Sequence, residues 1–213
     1  MKKYVMEAMG VFFLMLALMS NAGALAIGLM LAAMIFIGAH VSGGHYNPAV
    51  SLAVYCAYKM KAREVLNHMG AQILGAFLAA CLYYMLNNEQ FMLMTPAVVA
   101  WPLVLMQAIY SAVLCMVVLS VATSDGVKNN FAYSISAGLA LAMVLLVGAP
   151  FAASLFNPAI ALGPFLLVAL QGKLNLMQYL MAWVVGPVIG ACVASYLVNY
   201  LNVGKSDKVP PRG

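Results

Sequence analysis

Six stretches of this chain stay apolar for long enough to cross a lipid bilayer, and nothing else in the sequence limits its possible folds as strongly. They cover Tyr4–Ser20, Ala24–His40, Val65–Leu86, Trp101–Thr123, Phe131–Gly148 and Leu176–Leu201. A helix needs about 20 residues to span a hydrocarbon core about 30 Å thick. Only 7% of the 213 residues are charged and 66% are hydrophobic. A water-soluble domain carries roughly a quarter charged residues, so this chain lacks the polar surface for one. The pattern predicts an all-α membrane protein with six transmembrane helices.

The placement of charge predicts topology. Lys2, Lys3, Lys59, Lys61, Arg63, Lys128, Lys205, Lys208 and Arg212 fall on one side of a six-span chain, and only Lys173 falls on the other. Excess Lys and Arg mark the cytoplasmic side, so both termini are expected there. Lys2-Lys3 followed by an apolar run imitates a signal peptide, but Glu7 interrupts that run, and the segment is expected to stay as the first span. A single domain over residues 1–203 is expected, with 204–213 a disordered tail. Compact loops fit a prokaryotic inner membrane. No basic stripe with interleaved aromatics is present, so no nucleic-acid partner is implied. Cys56, Cys81, Cys115 and Cys192 stand singly without metal-ligand spacing. No metal, no cofactor and no nucleophile–base pair is read, and an enzyme is not expected.

Two further apolar segments, His45–Tyr58 and Phe156–Gln171, are too short to cross. Each contains Asn-Pro-Ala, as Asn47-Pro48-Ala49 and Asn157-Pro158-Ala159. Asparagine is a preferred N-cap and proline a preferred first helical residue, so each triplet predicts a helix start. At 1.5 Å per residue such helices reach about half a bilayer. The triplets are offset by 110 residues, and Gly28-Leu29 and Gly138-Leu139 share that offset. Met6-Glu7-Ala8 recurs as Met106-Gln107-Ala108, offset by 100. The chain therefore reads as two three-span repeats, about 1–90 and 100–203. An odd number of spans per repeat inverts the second relative to the first. Two half-helices would then enter from opposite faces and meet at their N-termini.

These residues resemble the aquaporin / major intrinsic protein family over nearly the whole chain. The run from Gly38 to Val50 is similar to the family's first signature, and Gln72 with Gly75 and Trp183 with Gly186-Pro187 match positions in the third and sixth spans. The resemblance implies an aquaporin-like fold of six transmembrane helices plus two re-entrant half-helices, one pore per subunit, and a homotetramer. It implies passage of water and small neutral solutes, with Asn47 and Asn157 at the pore. It also implies that Glu7 accepts hydrogen bonds from the backbone of the first half-helix loop, with Gln107 as its loop-supporting counterpart in the second repeat. His40 and His45 are expected at the first of these loops. Carbonyls of Val41–Tyr46 and Ala149–Phe156 are expected to line the path as acceptors.

The chain departs from the family where the second triplet is usually followed by arginine. Ile160 stands there, although Gly163-Pro164 keep the usual continuation, and Ala161 replaces the aspartate of glycerol facilitators. Carried over residue by residue, the constriction becomes Ile27, Leu145, Ser154 and Ile160, three of them aliphatic. Such a filter offers little hydrogen bonding and no guanidinium. A passive channel is the first reading. An ion- or proton-coupled transporter, with Glu7 as its only midplane candidate, and a non-conducting structural member of the fold remain open alternatives.

Overall fold

The computed structural model describes residues 1–58, 60–87, 101–123, 130–148, 156–172 and 177–201. Among them are eight helices: α1 (Lys2–Met19), α2 (Gly23–Ser42), α3 (Pro48–Tyr58), α4 (Ala62–Leu86), α5 (Trp101–Thr123), α6 (Asn130–Val147), α7 (Pro158–Leu170) and α8 (Met177–Leu201). The six expected spans all appear as helices. Helices α2, α4, α5, α6 and α8 are long and apolar enough to cross a membrane. The 18-residue α1 has the length, but Lys2, Lys3 and Glu7 dilute its apolarity. The tail beyond residue 203, the loops around 88–100 and 124–129, and Ser154 lie outside the described residues.

The packing is a pair of matching halves. Helix α1 packs on α2 and α4, and α5 packs on α6 and α8 in the same way. The halves join where α2 meets α6, and each half-helix crosses over, α3 against α8 and α7 against α4. Small residues permit these approaches, as expected where lipid supplies no hydrophobic drive between helices. Gly28 and Gly138 face one another so closely that a Cβ on either would meet the other's carbonyl oxygen. Gly75 abuts the Ala8 backbone of α1, and Gly190 abuts the Ala108 backbone of α5. The repeat seen in sequence is thus a repeat of helix contacts. Large apolar side chains such as Leu25, Leu29, Phe36, Leu66 and Leu78 remain exposed on the outer surface, as a lipid-facing protein requires.

Helices α3 and α7 have 11 and 13 residues, which makes them about 16 and 20 Å long. Neither can cross alone. Helix α2 ends at Ser42, where Gly43 and then Gly44 take left-handed conformations with φ of 95° and 66°. Only glycine adopts these without strain, and the chain turns back to start α3 inside the bundle. This differs from the expectation that irregular backbone begins at Val41: Val41 and Ser42 are still helical, and the bend is confined to residues 43–46.

Gly28→Ala is expected to destabilise the bundle by about 1–3 kcal/mol, because the added methyl has no room at the α2–α6 crossing. Gly70→Ala in α4 meets nothing within 4 Å and is expected to be neutral or stabilising by about 0.5–1 kcal/mol. Thermal unfolding in detergent distinguishes the two outcomes.

Candidate functional site

Each half-helix opens on its Asn-Pro-Ala triplet with the same cap. The Ala49 N–H donates to Asn47 Oδ1 at 2.8 Å, and the Ala159 N–H donates to Asn157 Oδ1 at 3.0 Å. Pro48 and Pro158 begin the helices and have no N–H to leave orphaned. The amide nitrogens then reach across the bundle. Asn47 Nδ2 donates to the Phe156 carbonyl at 3.2 Å, and Asn157 Nδ2 donates to the Tyr46 carbonyl at 2.9 Å. Each asparagine therefore caps its own helix and holds the residue preceding the other. An amide has two N–H groups, so one on each side chain is not used by this exchange.

The residues before the asparagines carry the strain of the arrangement. Tyr46 and Phe156 have φ of 47° and 55°, the left-handed region that non-glycine residues rarely adopt. Such backbone costs on the order of 1–3 kcal/mol and persists only where surroundings enforce it. Both rings are fully buried. Tyr46 lies against Gly10 and Gly38, and its hydroxyl donates to the Met34 carbonyl at 2.8 Å. Phe156 fills the equivalent space beside Gly148, with the Tyr110 ring centroid 5.1 Å away.

Glu7 anchors the first bend from α1. Its carboxylate accepts from the His45 N–H at 3.0 Å, the Tyr46 N–H at 2.7 Å, Ser42 Oγ at 2.7 Å and Gln72 Nε2 at 2.6 Å. Gln72 also donates to Ser51 Oγ at 3.0 Å, and Ser51 lies 3.1 Å from His45 Nδ1. Two buried backbone N–H groups of an irregular bend thus find an acceptor that the helix ladder cannot supply. Gln107, the counterpart of Glu7, is fully buried in α5, where its segment packs on Gly186 of α8. His40, expected at the loop, lies instead at an exposed position in the last turn of α2, because that helix runs on to Ser42.

Several members of this network escaped the sequence reading. His68 of α4 is fully buried, with Nδ1 2.9 Å from the Glu64 carbonyl and Nε2 3.3 Å from the Ser42 carbonyl. Ser111 donates to the Phe156 carbonyl at 3.3 Å, the second bond to that oxygen. Tyr133 of α6 donates to the Gly43 and Gly44 carbonyls. The spacing of Glu64, His68 and Gln72 by four was a readable sign of one polar helix face. Nothing local marked Ser111 or Tyr133.

Beside the asparagine pair lies a cavity with space for water of about 20 Å³, lined among others by Leu14, Leu31, Leu114, Leu141, Asn47 and Asn157. That is room for about one water. Its walls repeat with the chain: Leu14 and Leu114 are offset by 100, Leu31 and Leu141 by 110. Ile27, Leu145 and Ile160 are buried but do not line it. Ile27 and Leu145 stand one turn beyond Leu31 and Leu141 on the same helices, and Ser154 is outside the described residues.

The profile of the major intrinsic protein family matches residues 2–198. The chain belongs to that family. It is accordingly a multi-pass integral membrane protein of the aquaporin type of channel. It is 31% identical over 185 residues to a probable aquaporin of Archaeoglobus fulgidus, covering 83% of this chain and 74% of that one. It is 32% identical over 225 residues to nodulin-26 of Glycine max, covering 97% and 81%. Its fold is that of the aquaglyceroporin from Plasmodium falciparum, with a TM-score of 0.79 over 98% of this chain and 99% of that one at 24% identity.

Glu7→Ala removes the acceptor for four donors, two of them buried backbone N–H groups. Each orphaned donor costs about 1–3 kcal/mol. The variant is expected to lose at least about 2 kcal/mol of stability, read as a lowered detergent unfolding temperature.

Proposed function

We propose that this chain forms a passive conduit for water and small neutral solutes, selected against ions at the crossed asparagine pair and filtered by an unusually apolar constriction. The observation that carries the reading is the reciprocal bonding of Asn47 and Asn157, each to the carbonyl preceding the other, beside a cavity with room for about one water. Each half-helix N-terminus carries about half a positive charge. Two together amount to about one charge, which repels a cation at about 4 Å by about 4 kcal/mol at an effective dielectric near 20. A neutral solute escapes that term and can accept from the second amide N–H of each asparagine. The apolar walls give a passing water few other partners, so the asparagines orient it.

In this reading the filter is Ile27, Leu145, Ser154 and Ile160. Without a guanidinium, cation exclusion rests on the half-helix dipoles. The apolar ring either slows water by denying it hydrogen bonds or admits larger, less polar neutral solutes. The positive-inside pattern supports both termini on the cytoplasmic side, the compact loops fit a prokaryotic inner membrane, and the exposed apolar flanks serve a homotetramer and the surrounding lipid. A proton-coupled mechanism is disfavoured because both oxygens of Glu7 are already engaged by protein donors.

Stopped-flow light scattering on proteoliposomes tests this. The wild-type chain is expected to raise permeability to water or to a small neutral solute such as urea or glycerol above the lipid background, without saturation or dependence on a pH gradient. Ile160→Arg is expected to reduce entry of solutes larger than water by roughly tenfold, equivalent to about 1.4 kcal/mol of added barrier. Unchanged selectivity in that variant would remove Ile160 from the filter.

A further inference from the structure

Tyr133 lies one turn before Ala137 and two before Leu141, the α6 residues that line the central cavity. Four-residue spacing keeps the three on one helix face. The Tyr133 hydroxyl donates to the Gly43 carbonyl at 3.2 Å and the Gly44 carbonyl at 3.3 Å, and Gly44 itself lines the cavity. Tyr133 does not itself line the cavity; its hydroxyl reaches the cavity wall at Gly44 from the turn of α6 before Ala137. It covers two acceptors that the bend at 43–46 would otherwise offer to a solute.

We propose that Tyr133 is a specificity-determining residue of the conduit: its hydroxyl occupies the Gly43 and Gly44 carbonyls, and its ring narrows the exit beyond the asparagine pair, so that a solute must displace it to pass. The proposal rests on the channel reading above. A single O–H shared between two carbonyls at these distances is weaker than a direct bond at 2.7–2.8 Å. Exchanging it for the O–H of a water or alcohol therefore costs little. The backbone that carries it is held. Asn130 Nδ2 donates to the Phe36 carbonyl at 2.7 Å, Ser134 Oγ donates to the Phe131 carbonyl at 2.8 Å, and Gly28 and Gly138 lock α2 to α6. Displacement is then a rotation of one side chain, not a movement of a helix. The contact also runs between the repeats, from α6 to the bend after α2, so it needs tertiary placement and has no local cause.

A mere staple between α6 and the bend would behave in the opposite way. Removing a staple loosens Gly43–Gly44 and lowers flux, whereas removing a plug raises it. The test compares full-length wild type, Tyr133→Phe and Tyr133→Ala in proteoliposomes by stopped-flow light scattering with water, urea and glycerol. Circular dichroism and size-exclusion profiles establish that each variant is folded. Tyr133→Phe keeps the ring and frees both carbonyls. It is expected to raise permeability to the conducted solute by roughly two- to fivefold, the effect of one weak hydrogen bond on a barrier. Tyr133→Ala is expected to raise glycerol entry more than water entry. With a conducting wild type, a folded Tyr133→Phe that leaves permeability unchanged or lowered overturns the proposal and leaves the channel reading standing. Permeability at lipid background for the wild type and both variants overturns the two together.

Discussion

Two asparagine side chains, each bonded to the carbonyl before the other, hold this structure at its centre. Asn47 Nδ2 reaches the Phe156 carbonyl and Asn157 Nδ2 reaches the Tyr46 carbonyl, while both side-chain oxygens cap their own helices. The exchange lets two half-helices meet at their N-termini inside the protein, where their dipoles repel one another and the helix ladder leaves N–H groups open. Broken helices are tolerable at that depth only if every freed backbone group finds a partner or borders a cavity. The asparagines supply some of those partners directly, and the bends they hold depend on the rest of the network.

The cost of the arrangement falls on Tyr46 and Phe156, whose left-handed backbone is enforced from several sides at once. Tyr46 is fixed by its N–H to Glu7, its hydroxyl to Met34 and its ring against Gly10 and Gly38. Phe156 is fixed by its carbonyl, which accepts from both Asn47 and Ser111, and by its ring beside Tyr110 and Gly148. The two repeats solve one geometric problem with different chemistry. Repeat one uses a carboxylate and a glycine where repeat two has Gln107 and Tyr110.

Much of this was legible in the sequence, for physical reasons. A bilayer imposes a length on apolar segments, so all six spans could be read to within a few residues. Asn-Pro is a local cap, so both half-helix starts could be read as well. The 100- and 110-residue offsets exposed the repeat because matched helix crossings demand small residues at matched places, Gly28 with Gly138 and Ala8 with Ala108. The partners of polar side chains were harder to read. Glu7 gathers donors from residues 35 to 65 positions away, and Tyr133 reaches a bend 89 and 90 positions away. Such pairings depend on how helices cross, which no local pattern encodes. His40 was misplaced for a simpler reason: helix α2 runs two residues past it before Gly43 breaks it.

Under the proposed function, converging helix N-termini, with Ile160 where the family usually has arginine, keep charge out of a lumen open to neutral molecules. Monovalent cation flux into proteoliposomes, compared between wild type and Asn157→Asp, tests it most directly. The aspartate retains an acceptor for the Ala159 N–H and introduces a negative charge where the two dipoles meet. The account predicts no cation flux above lipid background in the wild type and a measurable flux in the variant. A wild type that passes potassium as readily as it passes neutral solutes would contradict it.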